Sequence, residues 1–242
     1  MIELYQFPIS HYCEKIRWAL DYKKLDHHTR NLLPGLHAKV TTKLVGQSAV
    51  PVLADGGQAI KDSATIITYL DDKYPAHCLT PADKNLREEA LEWERYADQE
   101  IGPYVRCLCY HTLLDHPEIV IPFFAQDGSW YSKALLKIIF PKLQGKMRKF
   151  MQINIQSAQA SKGRLDVAIE KIHQFRSNKD FMVGDSFTRA DLALASMLAP
   201  LCMPHGYGLS WPNSYPEPLA TSLASWDGKL DWVTEVYSKY RP

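Results

Sequence analysis

Apolar and polar positions follow two different rhythms along this chain, and the change comes near residue 80. Before it, short apolar runs alternate with helical spacing. Ile2 to Phe7 is an apolar run closed by Pro8, the pattern of a buried strand. Tyr12 to Tyr22 places Ile16, Ala19 and Leu20 on one helical face and charges on the other. His28 to Leu33 reads as a second strand with polar content, and Leu36 to Leu44 as a short helix. Val50 to Ala54 is a strand followed by the turn residues Asp55-Gly56-Gly57, with Gln58 to Lys61 returning as its hairpin partner. Asp62-Ser63 caps a helix that carries Ile66, Ile67 and Leu70 on one face and stops before Pro75. The order β-α-β-α-β-β-α predicts a mixed sheet with helices on its faces.

Thr80-Pro81-Ala82-Asp83 reads as a linker, and beyond it only helical spacing recurs. Asn85 to Ile101 carries Leu86, Ala90, Trp93 and Ala97 on one face; Gly102-Pro103 is expected to interrupt it, with helix resuming from Val105 to Leu114. His116-Pro117 and Phe124 to Trp130 read as irregular. Tyr131 to Ile155 is helical in composition with a kink expected at Pro141, and Ser161 to Phe175 is helical again. Arg189 to Leu201 is the most apolar helix, and the tail from Ser222 holds one or two short ones. In Thr188-Arg189-Ala190-Asp191, threonine at the N-cap and aspartate three residues on form a capping box, with Phe187 and Leu192 at the staple positions. A helix apolar on nearly every side belongs in the middle of a bundle. The domains expected are therefore 1–79, α/β, and 84–242, all-helical.

Composition narrows the function classes. Lys+Arg is 28 and Asp+Glu is 27, so a net charge of +1 gives no global attraction to nucleic acid or to an anionic membrane. The most apolar stretch, Leu192 to Pro204, is too short to span a bilayer, and the N-terminus lacks the pattern of a signal peptide. Five cysteines, an odd number, argue against a secreted disulfide framework, so the cytoplasm is the expected compartment. Cys107 and Cys109 fall on opposite sides of a helix, and no metal site is expected. Lys133, Lys137, Lys142, Lys146, Arg148 and Lys149 interleave with apolar residues, which suits an amphipathic helix with a solvated face or, alternatively, a membrane or partner surface.

Three short segments carry candidate chemistry. Ser10-His11-Tyr12-Cys13 joins the first strand to the first helix, with Ser10 and Cys13 at the spacing of a Cys-x-x-Cys pair whose first cysteine has become serine. Free amides and the positive dipole end of a helix stabilise an anion there, including a thiolate. Val50-Pro51 precedes a strand in a sequence compatible with a cis peptide, and the free backbone of Val50 suits docking of an extended peptide. Asp62-Ser63 at a helix start offers amides and a hydroxyl to a carboxylate, and Asp62 a charge to an ammonium group.

A thiolate site, a peptide-backbone site and an amino-acid headgroup site are the contacts glutathione requires. Those segments, together with Val52-Leu53 and the box from Thr188 to Asp191, resemble the cytosolic glutathione transferases over nearly the whole chain. The resemblance implies a thioredoxin-like α/β domain followed by an all-α bundle, glutathione as cosubstrate with no tightly bound cofactor, an apolar electrophile as second substrate, and a homodimer. It assigns Ser10 a hydrogen bond to the glutathione sulfur, main-chain bonds with the cysteinyl residue to Val50, a cis bond to Pro51, and the γ-glutamyl end to Asp62 and Ser63. His37 and Lys39 would reach the glycyl carboxylate, unless they form only a solvated helix face. A free thiol near pKa 8.5 is about 3% ionised at pH 7, and a drop of about two units raises that to about 75%.

Other readings of the same residues stay open. Ser10 is also a plain helix cap, and Cys13 also a buried inert thiol. If Cys13 is reactive, the chain is a glutathione-dependent thiol oxidoreductase. If neither acts, it is a non-catalytic interaction protein that retains the fold.

Overall fold

The computed structural model describes residues 1–242. The sheet is built from β1 (Ile2–Gln6), β2 (His27–Asn31), β3 (Val52–Asp55) and β4 (Gln58–Lys61) in the order β2-β1-β3-β4. β2 runs parallel to β1, while β3 pairs antiparallel with both β1 and β4, and Leu4 lies opposite Leu53 at the centre. β2 is polar because it is an edge strand with one ladder open to water. Three helices accompany the sheet: α1 (His11–Tyr22), α2 (His37–Val45) and α3 (Ser63–Lys73). This is the α/β pattern expected, with boundaries moved by one or two residues.

From α4 (Lys84–Tyr96) onward every element is helical. The expected interruption at Gly102-Pro103 is not there. A π-helical turn, Ala97–Ile101, leads directly into α5 (Gly102–Leu113), and Pro103 sits in the first turn of α5, where its missing N–H leaves no bond unmade. Gly102 has a packing reason: a Cβ at this position would collide with the Tyr12 hydroxyl and the Met197 sulfur.

The segment read as irregular contains α6 (Pro117–Ala125), which starts on one proline and tolerates a second, Pro122, because Val120, Ile121, Phe123 and Phe124 are buried. Tertiary burial outweighs local propensity here. The helix expected from Tyr131 to Ile155 ends sooner, as α7 (Ser132–Phe150), and the next, α8 (Ile155–Arg176), starts before Ser161. The cause is a second capping box. Asn154 Oδ1 accepts from the Ser157 amide at 2.9 Å, and Ser157 Oγ accepts from the Asn154 amide at 2.9 Å.

The expected box at α9 (Arg189–Cys202) is present. The Asp191 carboxylate accepts from the Thr188 amide at 3.1 Å, and Thr188 Oγ1 accepts from the Ala190 amide at 3.3 Å. Every residue of α9 from Arg189 to Leu201 is buried, and the helix packs against α1, α4, α5 and α11 (Asp231–Tyr240). A short α10 (Leu219–Ala224) precedes α11 in the tail.

The two halves meet along α1, through apolar packing such as Trp18 against Phe187 and Tyr237 and through paired charge. Lys15 Nζ, fully buried, lies 2.8 Å from Glu94 and 2.7 Å from Asp98. Glu94 is also held at 2.6 Å by Arg189, whose guanidinium donates to the Ala64 carbonyl and to the hydroxyls of Thr68 and Thr80. Nearer the tail, Glu14 binds Arg17 at 2.7 Å and Arg241 at 2.9 Å. The tail is thereby fastened across the back of α1, which leaves the N-terminal end of that helix for the cleft between the halves.

Candidate functional site

The β1–α1 turn is shaped by Pro8 and by Ser10, the N-cap of α1, whose Oγ accepts from the Cys13 amide at 3.4 Å. The Ser10 hydroxyl donates to no group of the protein, so its hydrogen is free to point outward. Ser10 lines a cavity of about 870 Å³ between the two halves. From the α/β half the walls are Ile9, Ser10, His11 and Tyr12, the start of α2, and Ser48-Ala49-Val50. From the helical half they are the Val105–Leu113 face of α5, Phe123 and Phe124 of α6, and the C-terminal end of α7. Most of the lining residues are apolar. The volume lies in the upper part of the range for ligand pockets, enough for a tripeptide with a second small molecule.

Val50 lines the same cavity, and neither its amide nor its carbonyl is bonded to another backbone group. The Val50–Pro51 peptide is cis, and Pro51 is buried beneath the cavity wall. Ser10 and Val50 therefore share one cavity, although forty positions separate them in sequence.

Asp62 and Ser63 lie outside that lining. Asp62 has φ +72°, in the left-handed region that non-glycine residues rarely occupy, and this bends the chain sharply from β4 into α3. Its Oδ1 accepts from the Thr65 amide and the Thr65 hydroxyl, each at 2.9 Å. Ser63 is buried, and its Oγ accepts from the Lys15 ammonium at 3.3 Å. The headgroup pair thus adjoins the buried charges of the joint. Asp98, which binds Lys15, also draws the Tyr12 hydroxyl onto its carbonyl at 2.6 Å. Burial pushes the Asp98 carboxyl above the usual range, while Lys15 pulls it back.

Three other candidates have surroundings that bear on their roles. Cys13 is fully buried inside the first turn of α1, and burial raises its thiol pKa, so it presents no thiolate to the cleft. His37 does line the cavity, but as a neutral ring. Its Nδ1 accepts from the Gly35 amide at 3.1 Å and its Nε2 faces Ser48 Oγ at 3.3 Å, which assigns the proton to Nε2; burial lowers its pKa further. Lys39 is exposed and outside the lining. Neither serves as a ready cation at this cavity.

The reading of the sequence missed residues as well. Arg106 of α5 lines the cavity, and so do Lys146 and Lys149 of the basic stretch in α7. Helical spacing does mark Arg106, Cys109, Tyr110 and Leu113 as neighbours on a face, but nothing in the sequence indicates which cleft that face meets. His11, also lining the cavity, is held neutral by burial and by the Arg106 charge, its pKa lowered to about 3, and its Nε2 has no hydrogen-bond partner. Cys109 in the wall is an inert thiol, pushed up to about 12 by burial.

Comparison with known proteins places this geometry. Residues 4–80 match the glutathione S-transferase N-terminal domain. The chain is thus similar to the glutathione S-transferases in sequence over residues 4–80 and in fold over nearly its whole length. It is 39% identical over 139 residues to glutathione S-transferase Z2 of Arabidopsis thaliana, an alignment covering 56% of this chain and 60% of that protein. The alignments with the next plant transferases span about two fifths of those proteins (42%, 42% and 40%). A longer alignment, at 27% identity, covers 83% of this chain and 74% of rat glutathione S-transferase theta-1. In architecture the chain resembles a glutathione S-transferase from Methylobacillus flagellatus solved with glutathione bound, with a TM-score of 0.62 at 18% identity over 99% of this chain and 95% of that one. In that fold the α/β half is the thioredoxin-like domain and α4 to α11 form the helical one.

Proposed function

We propose that this chain is a glutathione transferase that binds reduced glutathione along the Ser10–Val50 side of the cavity and activates its thiol. The observation that carries the reading is the state of Ser10: a helix-capping serine that lines the cavity and whose O–H donates to no group of the protein, so it is free for a sulfur there. That hydrogen bond, with the open amides of the first turn of α1, favours thiolate over thiol. The free backbone of Val50 suits the cysteinyl residue as a short added strand. Asp62 and Ser63 take the γ-glutamyl end, with Lys15 and Asp98 holding Ser63 in place.

The thiolate then attacks an electrophile lying against α5, α6 and α7. A sulfur–carbon bond forms, and the displaced electron pair leaves with the leaving group or moves onto the acceptor. The protein forms no covalent bond itself. No helix is long and apolar enough to cross a membrane. Five free cysteines suit a reducing compartment, and we assign the protein to the cytoplasm as a homodimer, the assembly the family resemblance implies.

The test is titration of the purified protein with reduced glutathione, following heat and the ultraviolet absorbance of the thiolate together. Saturable binding with thiolate appearing near neutral pH is expected. No binding at millimolar glutathione would overturn both enzymatic readings and leave the interaction-protein alternative. The oxidoreductase alternative requires a reactive Cys13, and the burial of that thiol speaks against it.

A further inference from the structure

The cavity is mostly apolar, yet its charged lining residues all have one sign. Arg106, Lys146 and Lys149 line it, and no aspartate or glutamate does. All three cations are exposed, so they stand at the rim where the cavity opens. None has a carboxylate partner, in contrast to the adjacent Arg148, which lies outside the lining and is paired with Asp115 at 2.7 Å. The two lining histidines add no charge, because burial keeps both neutral. A protein with a net charge of +1 thus concentrates three unpaired cations around one apolar cavity. Glutathione places a single glycyl carboxylate in such a site, which leaves cations unused. The planar fork of Arg106 suits a second carboxylate, and the ammonium groups reinforce it.

We propose that the acceptor is an apolar organic acid, its body among the aromatic walls of α5 and α6 and its carboxylate at the Arg106–Lys146–Lys149 rim. This inference rests on the transferase reading for the reaction, but not for the binding. The conjugation itself balances: for an aryl chloride, the glutathione sulfur bonds to the ring carbon and chloride departs with the electron pair of the broken C–Cl bond.

Two measurements separate the two claims. The first is calorimetric titration with 2-naphthoate and with neutral 2-naphthamide, neither of which is an electrophile. The acid should bind about tenfold tighter, as expected for charge-assisted contacts. That preference should shrink as sodium chloride is raised, a test needing no variant. It should vanish in R106Q/K146Q/K149Q and persist in K133Q/K142Q, which alters charges of the same helix outside the lining. The second measurement compares kcat/KM for 4-chloro-3,5-dinitrobenzoate with that for its methyl ester, each divided by its uncatalysed rate. The acid should be favoured about tenfold, through KM, and the triple variant should lose that advantage while keeping its KM for glutathione.

Equal binding of naphthoate and naphthamide overturns the proposal even if both chlorides are conjugated, and then the transferase reading stands. A triple variant that loses affinity for glutathione instead of for the acid also overturns it, because the cations then serve the glycyl carboxylate. Selective binding of the acid without turnover of either chloride supports the site and removes the transferase reading.

Discussion

The joint between the halves and the cavity beside it both contain charged residues, and they use them in opposite ways. At the joint, the charges of Lys15, Glu94, Asp98 and Arg189 lie within one connected, buried network. At the cavity rim, Arg106, Lys146 and Lys149 are exposed and unpaired. A buried charge without a partner is costly, so pairing at the joint is a condition for folding. An exposed charge pays no such penalty, and its lack of a partner leaves it available to a ligand. α1 separates the two regimes. Lys15 on its inner face belongs to the network, and Ser10 at its N-terminal end belongs to the cavity.

The strongest way to break this contrast is Glu94→Ala, which leaves Lys15 and Arg189 buried with unbalanced charge. A loss of about 3–5 kcal/mol is expected in urea unfolding. A loss below about 1 kcal/mol would mean that water reaches the joint and that the pairing behaves as a surface salt bridge. Ser10→Ala acts on the other region. It should reduce kcat/KM for conjugation by about 100-fold, as removal of one hydrogen bond to a developing anion does, at a cost in stability of only about 1 kcal/mol from the lost cap. The pH at which glutathione thiolate appears on the protein should rise in parallel.

His11 sharpens the comparison, because it is buried at the cavity wall beside a cation rather than a carboxylate. Burial, and then Arg106, lower its pKa from 6.5 in the ordinary state to about 3 in the fold. Between those values the unfolded chain takes up a proton that the native protein refuses, so stability falls as pH drops below 6.5. Relative to a His11→Gln variant, the protein should lose about 2 kcal/mol between pH 7 and pH 5, read from urea midpoints. Identical pH slopes for the two proteins would show that the ring is not held neutral. The smallest effect belongs to Cys13→Ala, which should leave conjugation rates within about twofold, since the thiol never meets the cavity. Loss of thiol–disulfide exchange activity on this substitution would restore the oxidoreductase reading.

Much of the architecture was legible because it is written locally. The hairpin turn Asp55-Gly56-Gly57, the cap at Asp62 and the box from Thr188 to Asp191 are short-range signals, and each operates where the pattern puts it. α6 escaped detection because its two prolines oppose helix and only the burial of Phe123 and Phe124 overrides them. The break after α7 was missed although its signal, Asn154 followed by Ser157, is also local, since serine is an unusual partner in a capping box.

The local setting of Ser10 and Val50, the two proposed glutathione contacts in the cavity, was legible from their neighbours, because a helix N-cap and the residue before a strand-opening proline are both defined within a few positions. For His37, Lys39 and Cys13 the neighbours left two readings open, because availability depends on burial and on pairing, which are properties of space. The same holds for Arg106 and Lys149, which stand at one rim only because α5 and α7 flank a common cleft. The sequence by itself determined the elements, their caps and the turn that carries Ser10, all products of interactions a few residues in range. Only the tertiary structure decided which charges are cancelled and which are left facing the cavity, because charge pairing here joins residues as far apart as Lys15 and Glu94, brought within 2.8 Å by the packing of helices.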